Sequence, residues 1–393
     1  MASSYNVDQN KLTLIDGLLT RLLTEQKIQL KIDLKNQLQI PEDIRKKIES
    51  TLKVRASLMV KTSNQKNTLD INKQTETLIG NFYFYVGQYD LAKIFYDKTF
   101  KIDPQFTEPI LNKGILLSRL GKHQEGISYF DKILEKEPMD FDALCAKGDS
   151  LTAISKHDEA LICYDKILET NPDYFDALFK KGCALAKVEK YEDAINYFEK
   201  TINIKPNHVP SLYNKGLSLA KIGNLEDSSK FCDRALEIDP DYFDALLTKG
   251  KVLTINGSYE DALYYFNKTL EVDPRHPDAL LNKGLCLAKL GKYETAISYY
   301  NKALEFENNP ETILQKGNAF VHLGRNSDAL ICYDGALTIK PDYFDALFRK
   351  GLLLSHLGRY SDAKIFYDDA LKIKPDYFDA LYHKGRLLEQ LGK

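Results

Sequence analysis

A glycine recurs along this 393-residue chain at a nearly constant interval of 34 residues, and no other feature restricts the fold as strongly. This register glycine stands at Gly80, Gly114, Gly148, Gly182, Gly216, Gly250, Gly284, Gly317, Gly351 and Gly385. Only the interval from Gly284 to Gly317 differs, at 33 residues. A period of this length is typical of an array of stacked supersecondary units, each too small to bury its own apolar face.

Other positions keep phase with the register glycine. A second glycine follows seven residues later in eight units, and Ser155 and Glu189 replace it in the other two. In the unit at 278–306, apolar residues recur at helical spacing on both sides of this second glycine, Gly291. A glycine there suits a turn that needs a positive φ. The pattern therefore predicts an antiparallel helical hairpin.

Three further positions complete the unit. A small residue, usually alanine, stands twelve residues after the register glycine, an aromatic residue usually follows four residues later, and a proline closes most units. In the unit that begins its register at Gly284, the small residue is Ala296 and the aromatic residue is Tyr300. The small residues let the two helices approach closely, the aromatic ring fills the adjacent space, and the proline ends the second helix.

The heptapeptide PDYFDAL marks the junction between units. It occurs at 172–178, 240–246, 341–347 and 375–381. In the first copy, Asp173 is predicted to be the N-cap and Asp176 the first-turn acid of the next helix, while Tyr174 and Phe175 pack on the preceding helix.

This pattern resembles the tetratricopeptide repeat, a helix–turn–helix unit with small residues, an aromatic residue and a terminal proline in this order. The resemblance covers residues 73–393, as nine repeats (eight of 34 residues and one of 33) and the first helix of a tenth. It implies an all-α, right-handed superhelical solenoid. The last helix is either a natural cap or the start of an interrupted repeat. At 306–312 we expect a local change in stacking.

One position departs from the family. Where its members often carry leucine, the residue before the register glycine is lysine from Lys113 to Lys384. We expect the lysine stem to cover apolar surface while the ammonium group stays in water.

Residues 1–72 form a separate N-terminal segment. Apolar residues share one helical face over 11–24, and a second helix is predicted from Pro41. Polar and apolar residues alternate over 28–34 as in a strand, but we favour a helix because an isolated strand would have no partner. The polar stretch 61–68 is predicted to be a linker. The segment is either a cap for the array or an element for dimerisation or partner docking.

The composition is that of a folded cytoplasmic protein. The 54 basic and 56 acidic side chains offer no bulk attraction for nucleic acid or an anionic membrane. No apolar run approaches the roughly 20 residues of a membrane span, and the first residues lack a signal-peptide layout. Six scattered cysteines without a CxxC pair indicate reduced, packed thiols.

The resemblance also implies a binding surface. In this family the first helices line the inner face of the superhelix and hold extended peptides or partner helices. Counted from the register glycine, this first-helix face comprises the residues six, three and two before it and one, four and five after it. The predicted peptide-binding residues are Asn112, Phe179, Tyr213, Asn214, Leu247, Leu281, Asn282, Phe348, Arg349 and Tyr382.

Two known binding modes test this face. Asn112, Asn214 and Asn282 match the asparagine ladder of O-linked N-acetylglucosamine transferase, but three of ten repeats do not make a continuous ladder. The carboxylate clamp of co-chaperones is excluded, because the position that would carry its lysine is acidic. That position reads Glu108, Asp142, Asp176, Pro210, Asp244, Asp278, Glu311, Asp345 and Asp379. These acids either complement helix dipoles or favour a basic partner segment.

Nothing in the pattern indicates an enzyme, and we assign no catalytic, cofactor-binding or metal-binding residue. His322 and His356 occupy equivalent positions, with His383 nearby, but stacked helices hold such side chains too far apart for one zinc ion. The sequence predicts a non-enzymatic adaptor or scaffold that binds a protein or peptide. A self-assembling structural protein, joined through residues 11–60 or the last helix, is the alternative, and a helical-repeat nucleic-acid binder is less favoured.

Overall fold

A computed structural model describes residues 66–390 and residue 392. The helices predicted within 11–24 and from Pro41, and the choice between a cap and a docking element, lie outside the described residues. Within them the chain forms nineteen helices and no strand. It divides into two compact units, Met1–Val188 and Glu189–Lys393.

Seven helices belong to the first unit. They are α1 (Lys66–Tyr85), α2 (Tyr89–Ile102), α3 (Thr107–Arg119), α4 (His123–Leu134), α5 (Phe141–Ala153), α6 (His157–Thr170) and α7 (Phe175–Lys187). Consecutive helices pack on one another, and α3 and α5 also contact the helices two positions away on either side. The unit is a stack of helical hairpins with a continuous core.

Twelve helices belong to the second unit. They are α8 (Tyr191–Ile204), α9 (Val209–Lys221), α10 (Leu225–Ile238), α11 (Phe243–Ile255), α12 (Tyr259–Val272), α13 (Pro277–Lys289), α14 (Tyr293–Phe306), α15 (Pro310–His322), α16 (Asn326–Ile339), α17 (Phe344–His356), α18 (Tyr360–Ile373) and α19 (Phe378–Gln390). The same pairing of neighbours recurs. Both units therefore confirm the predicted all-α solenoid of hairpins.

The register glycines lie where two helices come closest. A Cβ atom built on Gly284 would stand 2.5 Å from Cε1 of Tyr300, whose side chain is fully buried. At Gly114 the same atom would stand 2.5 Å from Cε1 of Phe130. The aromatic ring occupies the volume that a side chain would need, which confirms the predicted packing.

The turn inside each hairpin uses a left-handed residue. Gly291 has a φ of 77°, as predicted, and the equivalent glycines adopt similar values. Ser155 and Glu189, which replace glycine, adopt φ values of 62° and 61°. A residue with a Cβ atom pays a conformational cost in this region.

Replacing Ser155 by glycine is therefore expected to stabilise the protein by about 0.5–1 kcal/mol, because glycine reaches positive φ without steric strain. Urea denaturation followed by circular dichroism measures the effect. Gly121→Ser is the matched reverse change, since Gly121 has a φ of 78° and nothing lies within 4 Å of an added Cβ. It should lower the midpoint by a similar amount, and equal midpoints for all three proteins would contradict the account.

The predicted N-cap at the PDYFDAL junction is wrong by one residue. In the first copy Tyr174 is the N-cap residue of α7, and no side chain caps this helix. The Tyr174 N–H donates to the carbonyl of Asn171 at 3.1 Å, which places Asp173 inside the preceding turn. Asp176 lies in the first turn, as predicted. The ring of Tyr174 packs against Phe141, with centroids 5.2 Å apart.

One boundary differs from the sequence prediction, and the structure locates the missing residue of the short repeat. Helix α1 begins at Lys66, so residues 66–68 of the predicted linker are helical. The residue missing between Gly284 and Gly317 is lost from the connection between α14 and α15, which spans 307–309, while neither helix is shortened relative to its equivalents. Asn309 caps α15 by accepting a hydrogen bond from the Glu311 N–H at 2.9 Å.

Most of the lysines before the register glycines form ion pairs that the sequence did not predict. Lys249 donates to Asp233 at 2.7 Å, and its side chain is only 8% exposed. Seven of these lysines pair with an acid of the preceding second helix in this way. The pairs are Lys113–Asp97, Lys147–Asp131, Lys181–Asp165, Lys215–Glu199, Lys249–Asp233, Lys350–Asp334 and Lys384–Asp368. We call this row of ion pairs the lysine seam.

Candidate peptide-binding faces

In the first unit, the first-helix face of α5 and α7 carries a polar network. Lys180 of α7 donates to Oδ2 of Asp149 at 2.7 Å, and Asp149 Oδ1 accepts a hydrogen bond from the Tyr164 hydroxyl at 2.9 Å. Phe179, a predicted anchor, lies beside Lys180 in the sequence and is half-buried. The network joins two successive repeats through charged groups on the predicted face.

The charges on this face perturb one another. Burial against the surrounding protein raises the pKa of Asp142, and the carboxylates of Asp140 and Asp176 raise it further, while Lys180 lowers it. The side chain still reaches solvent. Burial lowers the pKa of Lys180, but the Asp149 carboxylate and its neighbours outweigh burial and hold that pKa above its usual value. The acids therefore stand close enough to destabilise one another's charge.

The start of the first unit repeats this arrangement with amides. Asn112 donates to Oδ1 of Asn81 at 2.8 Å, and the Tyr96 hydroxyl donates to the same oxygen at 2.9 Å. Asn81 also donates to Glu108, at 3.4 Å. Asn112, predicted to bind a peptide, is thus engaged across the repeat boundary while remaining half-buried.

The residue that follows the register glycine lies on the predicted first-helix face, but the sequence did not predict its hydrogen bond to the packing tyrosine. Asn81, Asp149 and Asn318 occupy this position, and each accepts a hydrogen bond from the tyrosine fifteen residues later. A signal for it was present in the sequence, because all three repeats carry tyrosine rather than phenylalanine at the packing position. Buried tyrosine hydroxyls usually have a hydrogen-bond partner, but the signal is incomplete, since Tyr300 and Tyr367 occur with leucine at this position.

In the second unit, the two predicted asparagines bond within their own helices. Asn214 donates to the carbonyl of Pro210 and Asn282 to that of Asp278, each at 2.7 Å. The Asp278 carboxylate also pairs with Lys251 of the preceding first helix. No row of amide contacts joins these two asparagines in the residues described here.

Two predicted anchors need correction. Leu281 and Phe348 are each only 7% exposed, so they belong to the core and are not accessible to a partner. The ring of Phe348 lies 5.4 Å from that of Tyr377 and 6.1 Å from that of His383, both in or beside the next first helix. The next repeat in the stack therefore covers Phe348.

The other predicted residues keep some access to solvent. Tyr213 and Leu247 are half-buried, and burial raises the pKa of Tyr213, whose ring packs 5.6 Å from that of Tyr242. Arg349 is exposed, and Tyr382 is 51% exposed on the last helix.

The thiols and imidazoles show no arrangement for catalysis or metal binding in the described part of the chain. Burial raises the pKa of Cys145 and of Cys183 to about 12, which makes both poor nucleophiles at neutral pH. His322 stacks on Tyr293 with centroids 4.6 Å apart. No group of three histidine, cysteine or acidic side chains is placed to hold a metal ion within residues 66–390.

Comparison with known proteins places this fold in a family. The tetratricopeptide repeat family matches residues 77–106, 111–175, 163–196, 209–242, 247–311 and 314–378. The chain belongs to this family, whose repeats are protein-interaction modules, so it is a protein-interaction repeat scaffold. No curated protein matches the sequence. No helix among the described residues is long and apolar enough to cross a membrane.

Solved structures similar to this chain include one with the same fold and two with lower scores. The APC/C hetero-tetramer Cut9–Hcn1 is similar over 96% of this chain and 88% of its own, with a TM-score of 0.54 and 15% identity. A tetratricopeptide repeat protein from Parabacteroides merdae covers 60% of this chain and 93% of its own, with a TM-score of 0.49 and 16% identity. YrrB, described as having an unusual peptide-binding site, covers 48% and 97%, with a TM-score of 0.39 and 26% identity.

Proposed function

We propose that this protein is a non-enzymatic scaffold that binds a basic peptide segment of a partner, in an extended or helical form, on the first-helix face. Membership of the tetratricopeptide repeat family supports a role in protein interaction. The acids on the first-helix face favour a partner segment that is basic. The proposal applies primarily to α5 and α7 of the first unit, where the charges of Asp142, Asp176 and Lys180 perturb one another.

The carrying observation is the placement of acids on the first-helix face of the first unit, with Asp142 in α5 and Asp176 in α7. Burial, together with the carboxylates of Asp140 and Asp176, raises the pKa of Asp142, so a cationic partner would stabilise its charged form. A lysine or arginine side chain of a partner would relieve the repulsion between these carboxylates. Lys180 pairs with Asp149 and also lowers the pKa of Asp142, but burial and the neighbouring carboxylates outweigh it.

The half-buried and exposed residues beside the acids would orient the rest of the segment. Phe179 offers a half-buried ring next to Lys180 in the first unit. On the first-helix face of the second unit, taken by itself, Tyr213 and Leu247 hold the position of Phe179, and the exposed Arg349 holds the position of Lys180. Aromatic and aliphatic side chains at alternate depths suit a peptide whose apolar and basic residues alternate.

Fluorescence anisotropy with a short labelled peptide that alternates lysine and leucine tests this proposal. The double variant Asp142→Asn, Asp176→Asn is expected to bind about tenfold more weakly, since it removes both attractive charges. Asp158→Asn, Glu169→Gln is the matched control, because it removes two exposed acids of the second helix α6. The control should bind as the unaltered protein does.

The affinity for the basic peptide should also decrease as the pH is lowered. Because the pKa of Asp142 lies above its ordinary value of 3.8, protonation removes its charge at a higher pH than for a free aspartate. Loss of affinity on acidification should therefore begin before ordinary aspartates titrate. Equal binding by the Asp142, Asp176 variant and the unaltered protein would overturn the proposal.

A further inference from the structure

The lysine seam is interrupted at two successive repeats. Lys283 and Lys316 hold the seam position there, but the preceding second helices offer Asn267 and Asn301 in place of an acid. Neither lysine forms an ion pair with any residue that the structure describes. Both lysines are half-buried, and each holds a positive charge without a neutralising acid among the described residues.

The first gap concentrates positive charge around one ring. The ammonium nitrogen of Lys283 lies 4.2 Å from the ring centroid of Tyr299, and that of Lys302 lies 5.0 Å from the same centroid. Lys302 likewise forms no ion pair in the described part of the chain. The ring holds both ammonium groups in place but does not neutralise them.

The gaps open to solvent. In the occupied parts of the seam the acid stands at the surface, where its side chain is 30–60% exposed. Asn267 and Asn301 are likewise exposed. A carboxylate from outside the chain can therefore reach the position that an acid of the chain fills elsewhere, and the asparagine amides add N–H donors beside it.

We propose that the two gaps form a docking site for an acidic peptide segment of a partner protein, whose aspartate or glutamate carboxylates complete the seam at Lys283 and Lys316. Successive first helices stack roughly 10 Å apart. An extended chain advances about 3.3 Å per residue, so acids three residues apart reach both lysines.

This site is independent of the proposed basic-peptide site. It uses the residue one before the register glycine and the second helices α12 and α14, not the first-helix face. It also selects the opposite charge. A partner with separate acidic and basic segments would engage both sites, yet either proposal stands if the other fails.

Fluorescence anisotropy with a labelled peptide that carries aspartate at every third residue tests the site. The repaired variant Asn267→Asp, Asn301→Asp supplies the missing acids from the chain itself and is expected to bind at least about tenfold more weakly. It keeps every lysine and adds two ion pairs, so weaker binding cannot come from unfolding; its urea midpoint should be no lower than that of the unaltered protein.

Two further arms sharpen the test. Asp334→Asn opens a third gap, at Lys350, and should strengthen binding, while the same peptide with asparagine for each aspartate should not bind. Equal binding by the repaired variant and the unaltered protein, or equal binding of the two peptides, would overturn the proposal.

Discussion

Gly284→Ala is expected to destabilise the protein by about 2–3 kcal/mol, a large effect for one added methyl group. The new Cβ would lie 2.5 Å from a ring carbon of Tyr300. That ring is fully buried and cannot rotate away, so α13 and α14 must separate. The cost exceeds the gain of roughly 1 kcal/mol that alanine brings to a helix interior.

Gly335 and Gly385 provide matched controls in the same protein. Gly335 lies within α16, and the nearest atom to an added Cβ is 3.6 Å away. Gly385 holds the register position in α19, but nothing lies within 4 Å of its added Cβ. Alanine at either site should raise stability by about 0.5–1 kcal/mol. The urea denaturation midpoints of the three alanine variants, followed by circular dichroism, test this prediction. A similar change in midpoint for Gly284→Ala and Gly335→Ala would contradict the packing account.

Reversing one charge of the lysine seam is expected to cost about 3 kcal/mol. Lys249→Glu would place a second carboxylate beside Asp233, in a position that is 8% exposed for the lysine side chain. An uncompensated, largely buried charge is strongly destabilising, and the partial exposure of Asp233 keeps the value at the lower end of the known range. The glutamate would also lose the hydrogen bond that Lys249 donates to Ser229.

A double-mutant cycle separates the ion pair from the packing. Asp233→Lys combined with Lys249→Glu should recover part of the loss, because opposite charges face each other again. Lys230→Glu, at a position where the side chain is 61% exposed, should change stability by no more than about 1 kcal/mol. If the loss in the free energy of unfolding for the double variant equals the sum of the losses for the two single variants, the ion pair between these two positions does not stabilise the protein.

The regular features of the fold could be predicted because each depends on one repeat. The turn at Gly291, the close contact at Gly284 and the packing of Tyr300 all follow from the identity of a residue and its place in the period. The N-cap was misplaced because Asp173 and Tyr174 differ by one residue in a turn, and sequence patterns locate helix ends only to within a few residues.

The seam and the accessible part of the face could not be predicted as readily, because both depend on contacts between repeats. Lys249 finds Asp233 sixteen residues upstream in another hairpin, a distance outside any helical pattern. Phe348 is an aromatic residue of the kind that anchors a peptide, but the next first helix covers it. Tyr382, at the equivalent position in α19, is exposed to solvent. Exposure at this position therefore differs from repeat to repeat, since Tyr213 and Leu247 stay half-buried where Phe348 is covered.

Photo-crosslinking of the basic peptide, followed by mass spectrometry, tests the central claim most directly. A peptide that carries a photoreactive residue between its lysines should link to α5 and α7, near Asp142, Asp176 and Phe179. The Asp142→Asn, Asp176→Asn variant should lose these links. Links confined to α4 and α6, or links that survive in the variant, would show that the first-helix face is not the surface that binds the partner.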